Sequence, residues 1–374
     1  MTLYLKIVII YLSKLMKILK EDYIMKEIYD KLNYYLNDIC NYLEKGHSFL
    51  LENIDRICKL NDAFLRLLEN YSLENKTIQN NLTYEDVYYL AREIIGNIDK
   101  NYLKSFDNLI QSGELDFSYE NDYVDSECVS MYKNGKVVKQ IININREFNY
   151  SDVRLLVHEF IHYTNGKKQS MNRNYFGEFL SIYFELYAID YLLKKGVNKE
   201  EIDYLYRIKN VKLHSIIFYQ YEVILLAYTK FGNLDDNTVT LLQKYFLNIK
   251  KEVFEKECTT LYKNLCIAEE KNKDKIKENP NELGCALAEE FMAYNYKYIL
   301  GTFLAVYAHK YSNFDDIVNL NNYINEFNDK TVYDICSGIG IDLNDEDFSQ
   351  KLFNSMDEYI NTKQIDHNKV IKSQ

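Results

Sequence analysis

Two histidines four residues apart, His158 and His162, enclose a glutamate in the run Val157-His158-Glu159-Phe160-Ile161-His162. On an α-helix such a pair stands about 40° apart around the axis, so both imidazoles leave from one face on consecutive turns. Ring nitrogens placed that way can meet one zinc ion at about 2.0–2.1 Å. Glu159, beside the first imidazole, can take a proton from a zinc-polarised water rather than bind the metal. Leu155, Leu156, Phe160 and Ile161 bury the rest of the helix surface. Polar groups inside so apolar a helix cost free energy unless a metal or a partner satisfies them. The chemistry open to this set is hydrolysis by metal-activated water.

Two imidazoles alone hold the ion too weakly, so a third protein ligand is required. The next histidine after His162 is His214, which excludes the metzincin spacing. The following stretch offers carboxylates instead: Glu178, Ser181 and Glu185 stand at i, i+3 and i+7, on one stripe of a helix. One glutamate can bind zinc while the other, two turns along, hydrogen-bonds a ligand imidazole. Spacing leaves open which does which. Flanking Phe179, Leu180, Ile182, Phe184 and Leu186 make this a largely buried helix rather than a solvated acidic face.

Helical periodicity dominates the elements that must carry these residues. Up to about residue 111 the chain reads as three or four helices, with breaks near Gly46, Asn61 and Asn80–Thr83, and Thr83 with Glu85 and Asp86 marks a helix start. One island departs from the pattern. Cys128–Lys133 and Lys136–Asn145, rich in Val, Ile and Tyr, flank Asn134-Gly135, a dipeptide suited to a type I′ turn, and predict a β-hairpin. The second strand leads through Asn149 and Ser151, both candidate N-caps, into a helix over 151–164 that bears the histidines. Further helices are predicted over 177–195, 199–231, 238–275, 284–311, 315–327 and 345–362, with Gly166 and Gly196 ending the 151–164 and 177–195 helices. The polar connection Asn165–Phe176 is long enough to fold the second of these back antiparallel on the first.

His158-Glu159-Phe160-Ile161-His162, followed by Gly177-Glu178-Phe179-Leu180-Ser181-Ile182-Tyr183-Phe184-Glu185, resembles the catalytic core of the M3 metallopeptidases, the oligoendopeptidase F and thimet oligopeptidase group. The resemblance implies a mainly α fold with a zincin-like (gluzincin) core and one small β-hairpin beside the H-E-x-x-H helix. It also implies one Zn²⁺ per chain on His158, His162 and Glu178, with Glu185 hydrogen-bonded behind a ligand. Tyr294-Asn295-Tyr296-Lys297-Tyr298-Ile299-Leu300-Gly301 is similar to the Tyr-rich, Gly-ended helix of the oligoendopeptidases, whose tyrosine hydroxyls reach the scissile carbonyl. Tyr294 and Tyr298 are four apart and share a face, and a phenol donor near the zinc can stabilise an oxyanion; Tyr296 lies on another face. Ile335–Tyr359, with Gly338-Ile339-Gly340-Ile341-Asp342 and Phe348, is similar to the family's closing segment, so the resemblance runs from about Val129 to Asn361.

The chain also departs from the family. Ile161 stands where a glycine is usual, the segment between His162 and Glu178 is short, and Glu289 and Glu290 stand where relatives tend to carry a histidine. The helical portion before the hairpin, which roofs the substrate channel in full-length members, is much shorter. The expected organisation is a helical region over 1–125 and a zinc metallopeptidase catalytic domain over 126–374. The implied activity is a zinc-dependent endopeptidase acting on oligopeptides, with Glu159 as general base. Two other readings compete: another gluzincin-type hydrolase such as an aminopeptidase, with Glu289 or Glu290 anchoring a free amino terminus, and a catalytically impaired peptide-binding relative.

Composition is compatible with this. The chain has 374 residues, 47% of them hydrophobic and 27% charged, the profile of a globular protein with a sizeable core. With 45 basic and 56 acidic residues the net charge is −11, which disfavours broad capture of nucleic acid or anionic lipid; the resemblance implies peptides as partners. The seven cysteines are scattered, with no C-x-x-C pair, and read as free thiols in a reducing cytoplasm. Lys6, Lys14 and Lys17 interrupt the apolar stretch Leu3–Leu19, so no stable membrane span is expected there and secretion is the minor alternative.

Overall fold

The computed structural model describes residues 3–46, 48–69, 71, 80–118, 126–133, 136–165, 171–245, 249–271, 273–274, 294–324 and 330–365. Asn134-Gly135, Gly166, Glu289 and Glu290 lie outside the described residues, as does the side chain of Tyr294. In chain order the elements are α1 (Leu3–Gly46), α2 (Ser48–Glu52), α3 (Ile54–Glu69), α4 (Tyr84–Ile98), α5 (Lys100–Ser112), β1 (Leu115–Asp116), β2 (Ser126–Lys133) and β3 (Lys136–Ile144). There follow α6 (Ser151–Asn165), α7 (Met171–Lys194), α8 (Lys199–Ile202), α9 (Tyr206–Phe231), α10 (Thr238–Tyr245) and α11 (Lys251–Lys271). The last four are α12 (Tyr294–Tyr311), α13 (Phe314–Tyr323), α14 (Val332–Gly338) and α15 (Phe348–Ile365). The protein is mainly helical with one small mixed sheet. It divides into two compact units, one comprising Met1–Leu65 and Ser215–Tyr296, the other Arg66–His214 and Lys297–Gln374.

In the first unit, α1 presents Tyr29, Leu32, Leu36, Ile39 and Leu43 at alternating spacings of three and four, and all are buried. The matching stripe of α11, Phe254, Cys258, Leu261, Leu265 and Ala268, is also buried, and α11 packs on α1. Asn61 does not break the chain as its residue type predicts; it sits inside α3. Its amide donates to the Ser215 carbonyl at 3.1 Å and to Glu222 Oε1 at 3.0 Å, a tertiary use that replaces competition with its own backbone.

Glu222 is completely buried, and burial pushes its carboxyl up to about 8, against the opposing donation from Asn61 and with added repulsion from Asp62. The native state therefore keeps a proton that the unfolded chain releases near 4.5, so stability falls as pH rises from there to about 8 and levels off above. Glu222→Gln retains an acceptor for Asn61 and has no proton to lose. It is expected to lose less stability across that window and to be more stable than the parent above it, by on the order of a few kcal/mol. Urea midpoints of both proteins at about pH 5 and about pH 8.5 check this, and equal alkaline losses in the two would overturn it.

In the second unit the sheet has strand order β1-β3-β2. The hairpin pairs antiparallel from Ser126↔Ile144 to Lys133↔Lys136, with an irregularity between Met131 and Tyr132. β1 adds parallel to β3 through Leu115↔Ile142 and Asp116↔Asn143; two residues are too short to show a strand period in sequence. Gln140, Ile142 and Ile144 alternate into the core, against α6. Every residue from Ser151 to Ile161 on α6 is buried, because α4, α7, β2 and β3 all pack around this helix. Asn149 caps it by accepting the Ser151 N–H at 2.7 Å, and Asp152 accepts the N–H groups of Glu147 and Phe148 at 2.8 and 3.2 Å.

The helix predicted over 199–231 is in fact α8 and α9, separated where Asp203 adopts left-handed backbone at φ 46°. The break frees the Ile202 carbonyl, which accepts from Ser151 Oγ and Arg154 Nε, both at 3.1 Å. Likewise the 238–275 prediction resolves into α10 and α11, and α7 begins at Met171, earlier than expected. Thr83 caps α4 with a full capping box to Asp86, and Gly196 takes φ 88° after α7. Among the described residues the cysteines are free thiols, and no helix is long and apolar enough to cross a membrane.

Candidate metal centre

The buried helices α6 and α7 pair in opposite directions: Arg154 meets Glu185, His158 meets both Glu185 and Glu178, and His162 meets Glu178. The result is a compact donor set. Glu178 Oε2 lies 3.8 Å from His158 Nε2 and 3.6 Å from His162 Nε2, and donor atoms of the three residues all fall within 4.8 Å of one another. Four-coordinate zinc with bonds of about 2.0–2.1 Å sets its ligand atoms about 3.3–3.4 Å apart. Small rotamer shifts therefore suffice to close this set on an ion.

The chemistry of the donors fits as well. Glu178 is only 6% exposed, and its Oε2 has no hydrogen-bond partner. A buried carboxylate oxygen left that way costs about 1–3 kcal/mol or more, and a cation between it and the two imidazoles would satisfy it. Burial works to raise the Glu178 carboxyl, but the charges of neighbouring His162 and Lys297 hold it well below the usual carboxylate range. Among the described residues this is the group of His, Cys, Asp and Glu side chains able to hold a metal.

Glu185, fully buried two turns further along α7, faces the other side of the first imidazole. Its Oε2 is 3.0 Å from His158 Nδ1. A carboxylate only accepts, so the ring proton belongs on Nδ1 and the Nε2 lone pair faces Glu178. Arg154 Nη1 donates to Glu185 Oε1 at 3.0 Å, and Arg207 on α9 donates to Oε2 and also lies 3.3 Å from His158 Nδ1. Despite burial, Arg207, the hydrogen bond from His158 and Arg154 keep Glu185 below the usual carboxylate range. Arg154 is itself fixed by the Ile202 carbonyl and by the Tyr206 ring, 3.9 Å from its guanidinium.

Glu159 is not one of these converging donors; its Oε1 accepts from Ser126 Oγ on β2 at 2.7 Å. Glu178 also meets α12: Lys297 Nζ is 3.3 Å from its Oε1. A Cβ at Gly301 would lie 3.0 Å from both Glu178 Cβ and Phe179 N, so glycine is what lets α12 approach the α7 backbone at Glu178 this closely. Tyr298 stacks flat on His214, with centroids 4.3 Å apart and planes at 7°, and Tyr296 is buried against Phe218. Tyr294 heads α12.

Sequence reasoning passed over Ser126, Arg154, Arg207 and Lys297. Arg154 carried a signal, an arginine one turn before His158 on an apolar helix, where burial demands an anion. The other three have no local signature.

No protein-family model matches the chain, and no curated protein matches it. Among solved structures, the crystal structure of a "putative peptidase" from Chlamydophila abortus is similar, with a TM-score of 0.50 and 14% sequence identity over 91% of this chain and 61% of that one. The chain thus spans about three fifths of that protein's length, and at this identity the likeness is one of fold.

Proposed function

We propose that the chain is an M3-like zinc metallopeptidase, an endopeptidase of oligopeptides, with His158, His162 and Glu178 as metal ligands and Glu159 as general base in a catalytic region over 126–374. The observation that carries this reading is the convergence of both imidazole Nε2 atoms on Glu178 Oε2, a buried oxygen with no hydrogen bond. A zinc ion held there would polarise an attacking water and the peptide carbonyl. Glu159 takes the proton of that water as its oxygen joins the carbonyl carbon, and returns it to the amine nitrogen as the C–N bond breaks. The Ser126 hydroxyl occupies Glu159 Oε1 and so leaves Oε2 for the proton. Glu185, held by Arg154 and Arg207, keeps the Nδ1 proton of His158 in place. Tyr298 or Tyr294 would donate to the carbonyl oxygen as charge builds on it.

β2, at the edge of the described sheet and beginning at Ser126, would align an extended peptide through its backbone groups. The description of the structurally similar Chlamydophila protein as a peptidase is in keeping with this, and free thiols accord with a reducing cytoplasm.

Metal analysis of the purified chain, with a mixed-peptide digest read by mass spectrometry, tests the proposal. Stoichiometric zinc and internal cleavage that chelator abolishes and zinc restores are expected, with N-acetylated peptides cut as readily as free ones. Cleavage confined to free amino termini would make it an aminopeptidase, and zinc without cleavage a peptide-binding relative. Absence of bound metal would refute the site.

A further inference from the structure

The geometry points to Lys297 as a positioning residue that restricts Glu178 to a single metal-binding oxygen and lowers the metal affinity of the site; this rests on the metal-centre reading above. The two oxygens of Glu178 have separate surroundings. Oε2 faces both imidazoles and has no hydrogen bond, whereas Oε1 is 3.3 Å from the Lys297 ammonium. The ammonium is held there by the fold. Lys297 and Gly301 are i, i+4 on α12 and share a face, and Gly301 lies so near α7 that a Cβ there would sit 3.0 Å from Glu178 Cβ and Phe179 N. Lys297 thus reaches Glu178 from a helix whose position against α7 is set by close packing.

Two consequences follow from charge. An oxygen engaged by an ammonium is a poor metal donor, so Glu178 offers Oε2 alone and a coordination position stays open for water. A cation beside the carboxylate also repels a dication bound to the same group, and it stabilises Glu178 in the metal-free state. Both effects weaken metal binding. Lys297 thereby gives up affinity in return for an open site. A methionine has a similar length and no charge, so it would free Oε1 to join Oε2 on the metal.

Apparent zinc affinity of the full chain, measured by competition with a chromophoric chelator, tests this in the parent, Lys297→Met, Lys297→Arg and His162→Ala. Lys297→Met is expected to bind zinc ~10-fold more tightly, because the repulsion between ammonium and dication is gone, and its Co²⁺ form to lose visible absorption intensity as coordination number rises. Lys297→Arg should restore the parent values, which a purely structural role of the side chain would not require. Unchanged or weaker zinc binding in Lys297→Met, with metal bound by the parent, overturns the proposal alone. A parent that binds no more zinc than His162→Ala overturns the metal-centre reading and the proposal with it.

Discussion

Exchange of Glu159 for glutamine is expected to leave zinc content unchanged while lowering kcat about 10³-fold. Glutamine has the same shape, and its amide oxygen still accepts the Ser126 hydroxyl that lies 2.7 Å from Glu159 Oε1. The side chain should therefore keep its place between α6 and β2. An amide does not take a proton from water, so proton transfer to and from the reacting centre is lost and little else changes. Glu159 is not among the converging donors, so metal content is expected to match the parent's. Metal analysis together with kcat on a peptide cut by the parent checks both halves. Near-parental turnover would remove Glu159 from the mechanism, and simultaneous loss of zinc would show that it maintains the site's structure rather than moving a proton.

Replacing Glu185 by alanine should destabilise the fold by about 3–5 kcal/mol. The carboxylate is wholly buried and neutralises Arg154 and Arg207, both themselves buried, while accepting from His158 Nδ1. Alanine leaves two guanidinium groups in the protein interior without the carboxylate that both contact. Arg154 retains the Ile202 carbonyl and the Tyr206 ring, but neither carries a formal charge. Zinc affinity should fall about 10–100-fold as well, because His158 loses the acceptor that orients its ring. Glu185→Gln, which keeps the shape without the charge, should fall between the parent and alanine in stability. Urea unfolding followed by circular dichroism measures the first effect and chelator competition the second. A loss below about 1 kcal/mol in Glu185→Ala would mean that water or other groups already neutralise the arginines.

The elements that carry the donors were legible because each is a local pattern. The hairpin strands β2 and β3 follow Val, Ile and Tyr on either side of a turn dipeptide, and α6 and α7 follow their apolar periodicity with Asn149 as cap. The pairing of His158 with His162 follows from the pitch of a helix alone. The break between α8 and α9 was not legible, since Asp203 enters left-handed backbone where the Ile202 carbonyl is claimed by Ser151 and Arg154, roughly fifty residues earlier in the chain. Asn61 failed as a break for the same kind of reason: its partners are on α9.

From the order of its residues the chain determined a helix with two imidazoles on one face, a neighbouring carboxylate, and a second helix with two glutamates on one stripe. Only the tertiary structure decided how those glutamates divide: Glu178 Oε2 faces the Nε2 atoms, while Glu185 lies behind His158 Nδ1 between two arginines. Residues seven apart on a helix point the same way, and their distinction comes from how far along the facing helix each one meets its partner. Ser126, Arg207 and Lys297 enter for the same reason, because a buried charge or proton is matched through space, by whichever distant element packing brings within hydrogen-bonding reach.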